Sequence, residues 1–84
     1  MAEILNVEIA QRLREVAALL QEQGANPFRV QAYRHAADTV QRLDRPAAEI
    51  VRVEGMGGLR KLSGIGESLA RSIRDLVLTG RLPM

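Results

Sequence analysis

The chain has 84 residues and no cysteine, which bounds it to one small domain and excludes disulfides and thiolate metal sites. Hydrophobic residues make up 46%, yet there is one Tyr, one Phe and no Trp, so the core must be aliphatic, built from Leu, Ile, Val and Ala. The net charge of +2 excludes a broadly basic surface: residues 1–43 hold five Arg against five acids, residues 44–84 six Arg and Lys61 against five acids, and the excess lies in the second half.

In chain order, Asn6 reads as an N-cap, followed by Glu8 and by Ile9, Leu13, Val16, Ala17 and Leu20 at helical spacing, ending at Gly24. Asn26 and Pro27 read as the cap and first position of a second helix. Its buried face is predicted to carry Phe28, Ala32, Tyr33, Ala36, Ala37 and Val40, and its end falls near Leu43. Asp44-Arg45-Pro46 starts a third, shorter helix through about Val53, with Ile50 and Val53 inward. Gly55-Met56-Gly57-Gly58 then interrupts as a flexible surface turn; it lacks the Lys-Ser/Thr of a nucleotide loop. One helical turn from Leu59 to Leu62 follows, and Glu67 to Leu78 forms the last helix, with Leu69, Ala70, Ile73, Leu76 and Val77 inward and Thr79-Gly80 as its stop. The expectation is a compact all-α bundle of four to five short helices, in which the first helix pair loosely echoes the last. Arg81-Leu82-Pro83-Met84 carries an apolar pair with nothing after it to pack against, the pattern of a domain excised from a longer chain.

The segment Leu62-Ser63-Gly64-Ile65-Gly66 carries the chemistry. Gly64 and Gly66 leave the main chain open to a ligand and reach φ > 0 cheaply. Their amides lie at the start of the last helix, where the first N–H groups have no intrahelical partner and the macrodipole is positive, so an anion fits. Ile65 between them points to the core, and Leu62 closes the preceding turn. A dinucleotide fingerprint would need a third glycine where this chain has Leu69, and no strand precedes the motif. The plain alternative, a tight turn between packed helices, stays open on this motif alone.

Two separated patterns in order, Asn26-Pro27-Phe28-Arg29-Val30-Gln31-Ala32-Tyr33-Arg34-His35-Ala36-Ala37 and Leu62-Ser63-Gly64-Ile65-Gly66, continued by Leu69-Ala70, Ile73 and Thr79-Gly80-Arg81-Leu82, resemble the N-terminal helix-hairpin-helix domain of family X DNA polymerases. The resemblance runs from about Asn6 to Leu82, with the hairpin at about 59–79. It implies a single DNA-binding domain over residues 1–84, active in DNA repair or at gaps and 5′-phosphates, with further domains of the same polypeptide beyond it. It implies backbone contacts through the amides of Gly64 and Gly66, with a Na+ or K+ on the carbonyls of Arg60, Leu62 and Ile65 and no other cofactor. Arg29 and Tyr33 fall on the family's 5′-phosphate pocket, beside Arg34; Tyr33 as a core aromatic with its hydroxyl at the rim, and Arg34 as a solvated or structural cation, are the plain readings. Lys61 and Arg71 are expected as phosphate cations beside the hairpin, and Ser68 as a hydroxyl donor.

The lyase-competent members carry their Schiff-base lysine where this chain has Ser72, and a further basic position of their pocket where it has Ser68. A hydroxyl cannot form an imine with a sugar aldehyde, so no enzymatic activity is expected. Two rival readings remain: a lyase re-sited on Lys61 or the α-amino group, and a protein-docking module of the same fold. His35 reads as an exposed or partly packed residue rather than a ligand, and Asp75 as an ordinary helix-surface partner of Arg71. No uninterrupted apolar run approaches the about 20 residues of a membrane span, and no secretion signal opens the chain, so a cytoplasmic location is expected.

Overall fold

A computed structural model describes residues 3–80. Four helices follow one another: α1 (Asn6–Glu22), α2 (Pro27–Arg42), α3 (Ala47–Arg60) and α4 (Glu67–Thr79), and no strand forms among the described residues. The expected all-α class is therefore observed. The α1 helix packs mainly against α2, and α3 against α4, giving two helical hairpins, each with a left-handed glycine in its link: Gly24 at φ 72° and Gly64 at φ 75°. Both links need the one residue type without a Cβ penalty there. The common core is aliphatic, as composition required. Ile9, Leu13, Val40, Leu59, Ile73 and Leu76 are its largest fully buried side chains, and Ala10, Ala36, Ala37 and Ala70 let the helices approach closely.

Helix starts show where local reading was sufficient. Asn26 caps α2 as expected: its Oδ1 accepts from the Phe28 amide at 2.8 Å, and Pro27 occupies the first turn. Asn6 does something else. Leu5 holds the cap position of α1, and Glu8 reaches back to the Leu5 amide at 3.0 Å. The Asn6 side chain instead spans to the start of α3, accepting from the Ala47 amide at 2.7 Å and donating to the Arg45 carbonyl at 2.9 Å. The cap of α3, expected from Asp44, thus comes from the other end of the chain, with Pro46 at the cap position.

Two predicted core residues are outside. Phe28 is 85% exposed and Val53 69% exposed, while Val30, not anticipated, is buried. Phe28 is the second residue of α2, where no neighbour covers its face. Val53 falls just ahead of a break in α3, where Gly55 stands at φ 65°, ψ −153°. Beyond Gly55 the chain is helical again through Arg60, so Met56-Gly57-Gly58 is not the surface turn expected. Gly58 is buried, and a Cβ there would stand 2.5 Å from the Glu54 Cβ and 2.8 Å from the Ile50 Cγ2. That glycine is a packing requirement, and the helical turn expected to start at Leu59 starts earlier for the same reason.

Candidate nucleic-acid interface

The site is built on the link between α3 and α4. Leu62 donates its amide to the Leu59 carbonyl at 3.1 Å, and Ile65 donates to Leu62 at 3.2 Å, which folds the link into two successive turns. Ile65 is 3% exposed and joins the core, so the loop is anchored from beneath as its sequence implied.

The two glycines have different jobs. Gly64 is left-handed, whereas Gly66 sits at φ −85°, ψ −171°, extended backbone that any residue adopts, at the cap position of α4. Nothing lies within 4 Å of where a Gly66 Cβ would stand, so its missing side chain serves access rather than conformation. Among the described residues the amides of Gly64, Gly66, Glu67 and Ser68 find no acceptor, and α4 has no side-chain cap. By contrast, Asn26 engages the first turn of α2 with its side chain at Phe28 and its carbonyl at Arg29 and Val30. A row of N–H groups at the positive end of a helix, with open space before it, can hold an anion.

Helix α2 holds this loop in place. The Thr39 hydroxyl donates to the Ser63 carbonyl at 2.9 Å. The His35 ring covers Gly64: a Cβ there would fall 2.0 Å from its Cδ2 and 2.5 Å from its Nε2. His35 and Thr39 are one turn apart, and Phe28 and Arg42 lie seven residues either side of His35, so all four share one stripe of α2. In the sequence this stripe is hard to read, because three of its four residues are polar and the fourth, Phe28, looks like a core residue.

Ion pairing decides which cations remain available. Arg12 pairs with Glu15, Arg14 with Asp38, Arg45 with Glu54, Arg52 with Glu3, Arg60 with Glu67 and Arg74 with Asp75. Asp75 thus takes its neighbour and not Arg71, the acid lying C-terminal to the base being the poorer i,i+4 orientation. Among the described residues the cations with no acid partner are Arg29, Arg34, Arg42, Lys61 and Arg71. All five lie on α2 or on the α3–α4 hairpin.

The predicted site residues divide accordingly. Lys61, at the end of α3, and Arg71 and Ser68, on α4, are exposed on the two helices that the link joins. Ser72 turns its hydroxyl back onto the Ser68 carbonyl at 3.2 Å. Arg29 is exposed; Tyr33 is half-buried and packs against the core. Arg34 faces the other way, donating to Gln21 of α1 at 2.6 Å. Among the carbonyls considered for a monovalent ion, that of Leu62 already accepts from Ile65 and keeps one lone pair for a further partner. Glu67, unremarked in the sequence pattern, is the first residue of α4, and its carboxylate lies 3.6 Å from Arg60.

No helix among the described residues is long and apolar enough to cross a membrane, and none of them form a group of three or more His, Asp or Glu that could hold a metal ion. A search among curated proteins returns no match. The helix-hairpin-helix domain family matches residues 4–82. Domains of that family commonly bind DNA without sequence specificity. With the match spanning nearly the whole chain and two helices joined through the Gly64-Ile65-Gly66 turn, the chain belongs to the helix-hairpin-helix domain family.

Proposed function

We propose that this domain binds DNA through its sugar-phosphate backbone, with no base readout and no catalysis of its own. The observation that carries the reading is the coincidence of two features among the described residues: unpartnered amides at Gly64, Gly66, Glu67 and Ser68, and cations without acid partners confined to α2 and the hairpin. Phosphate contacts of this kind position a protein without reading sequence. Lys61 and Arg71 supply charge beside the amides, and Ser68 a hydroxyl. Arg29 with Tyr33 would hold a 5′-phosphate, Arg34 serving as a structural cation toward α1. A role at repair gaps, as in the polymerase domains the sequence resembles, is supported by exposed Phe28 next to Arg29, since an aromatic face accepts an unpaired base. The reading requires no cofactor; a Na+ or K+ on the carbonyls of Arg60, Leu62 and Ile65 would add positive charge beside the same phosphate.

The test is a salt titration of binding to a gapped duplex by fluorescence anisotropy. With few cations engaged, log Kd against log salt should have a shallow slope, about 0.9 per neutralised phosphate. Binding that is absent at low salt, with a salt-insensitive protein complex in its place, would favour a docking module and refute the reading. The absence of catalysis is tested on an abasic-site duplex: borohydride should trap no adduct at Lys61 or at the N-terminus, because a lyase needs a primary amine positioned at the sugar aldehyde.

A further inference from the structure

The His35 ring is seated on the hairpin loop from another element, α2. Its ring edge lies over the α-carbon of Gly64, and since a Cβ at Gly64 would stand 2.5 Å from Nε2, that nitrogen is within about 4 Å of the α-carbon and about 5.5 Å of the Gly64 amide nitrogen. Two oxygens of one phosphate bridge such a span. The ring is nonetheless exposed as a whole, so it covers the glycine without being sealed in. We infer that His35 is a DNA-contacting residue, offering its Nε2 edge to the same phosphate that the Gly64 and Gly66 amides receive. The inference rests on the backbone-binding reading above and adds to it a contact that strengthens on protonation.

The surrounding charges permit this. On α2, His35 is flanked by Arg34, turned to Gln21, and Asp38, held by Arg14 at 2.9 Å. On the hairpin the ionisable groups bracketing Gly64 are Arg60, Lys61 and Glu67, with Arg60 and Glu67 engaged to each other. Asp38 and Glu67 therefore each have an Arg partner, and the neighbours without an acid partner, Arg34 and Lys61, are cationic. A neutral imidazole offers that phosphate a hydrogen bond only, whereas a protonated one adds a positive charge to the same contact.

The experiment measures Kd for a continuous duplex with 5′-hydroxyl ends, whose phosphodiesters do not titrate in this range, from pH 5.5 to 8 at fixed ionic strength. The wild type should tighten about five- to tenfold as pH falls, as expected for one added charge near a phosphate at 4 Å in water-like surroundings. Its salt slope should steepen by about 0.9 over the same range. His35→Gln should bind at the wild type's high-pH level throughout, and His35→Lys, itself always charged, at its low-pH level; circular dichroism checks that each stays helical. A flat wild-type profile, or an unchanged pH slope in His35→Gln, overturns the inference while leaving DNA binding standing. No wild-type binding at any pH overturns the backbone-binding reading and this inference with it.

Discussion

Replacing Gly66 with Thr separates binding from folding. Gly66 is the cap residue of α4, its backbone is extended at φ −85°, ψ −171°, and no atom lies within 4 Å of the Cβ position. Threonine is about as good a cap as glycine, so stability should stay within about 0.5 kcal/mol of the wild type. The new hydroxyl, however, is placed to accept from the amides one turn into α4, which is how a capping threonine works, and its methyl fills the approach to Gly64 and Gly66. Phosphate then loses at least one charge-assisted hydrogen bond, worth about 1.5–3 kcal/mol, which is roughly a 10- to 150-fold rise in Kd. Anisotropy titration of a gapped duplex at low salt reads the affinity, and a thermal melt by circular dichroism reads the fold. Unchanged affinity in a variant that melts with the wild type would remove the hairpin amides from the interface. A control behaves differently: Gly64→Ala must adopt φ near 75° and displace the His35 ring, so it should lose both stability and binding.

Glu67→Gln should move the two readouts in opposite directions. Losing an anion from the first turn of α4 costs about 0.3–1 kcal/mol of stability, while removing its repulsion and releasing Arg60 should tighten DNA binding about fivefold in the same titration. Phe28→Ala, at an 85% exposed position, should leave the melting curve unchanged and weaken binding to a gapped duplex by about 1–3 kcal/mol, with a smaller loss on continuous duplex, where no unpaired base can stack. Asn6→Ala removes both bonds to the start of α3 and should cost about 1–3 kcal/mol, lowering the melting temperature by roughly 4–8 °C per kcal/mol, while the folded fraction keeps its DNA affinity.

The extent to which this fold was legible follows from the range of the forces involved. The ends of α2 and α4 were readable because Asn26, Pro27 and Gly80 act on residues two to four positions away; Gly80 stands left-handed at φ 72°, as its place after Thr79 required. Asn6 was misassigned because its partner lies 41 residues on, at Ala47, and no local rule reports a side chain shared between helix starts. The glycines of α3 misled for a related reason. Only Gly55 has a backbone that demands glycine, and Gly58 is glycine because Ile50 and Glu54 crowd it, which is a tertiary fact. The hydrophobicity of Phe28 predicts burial, but its position at the very start of a helix leaves it little to pack against.

For the site, sequence could name the donors but could not allocate the charges. A net charge of +2 spread evenly would give a weak and featureless surface. Among the described residues, folding commits six arginines to acid pairs and leaves the other five cations on α2 and the α3–α4 hairpin, so the unpaired positive charge is gathered on those two elements. Arg71 illustrates the mechanism: its expected partner Asp75 is taken by Arg74, at 3.2 Å, and Arg71 stays exposed on α4 without an acid partner. Glu67 works against the same trend from the first turn of that helix, held by Arg60 across the loop. A domain with few cations can therefore still gather unpaired ones on one face, and on the proposed reading Glu67, the acid at the first turn of α4, would oppose the phosphate that the neighbouring amides attract.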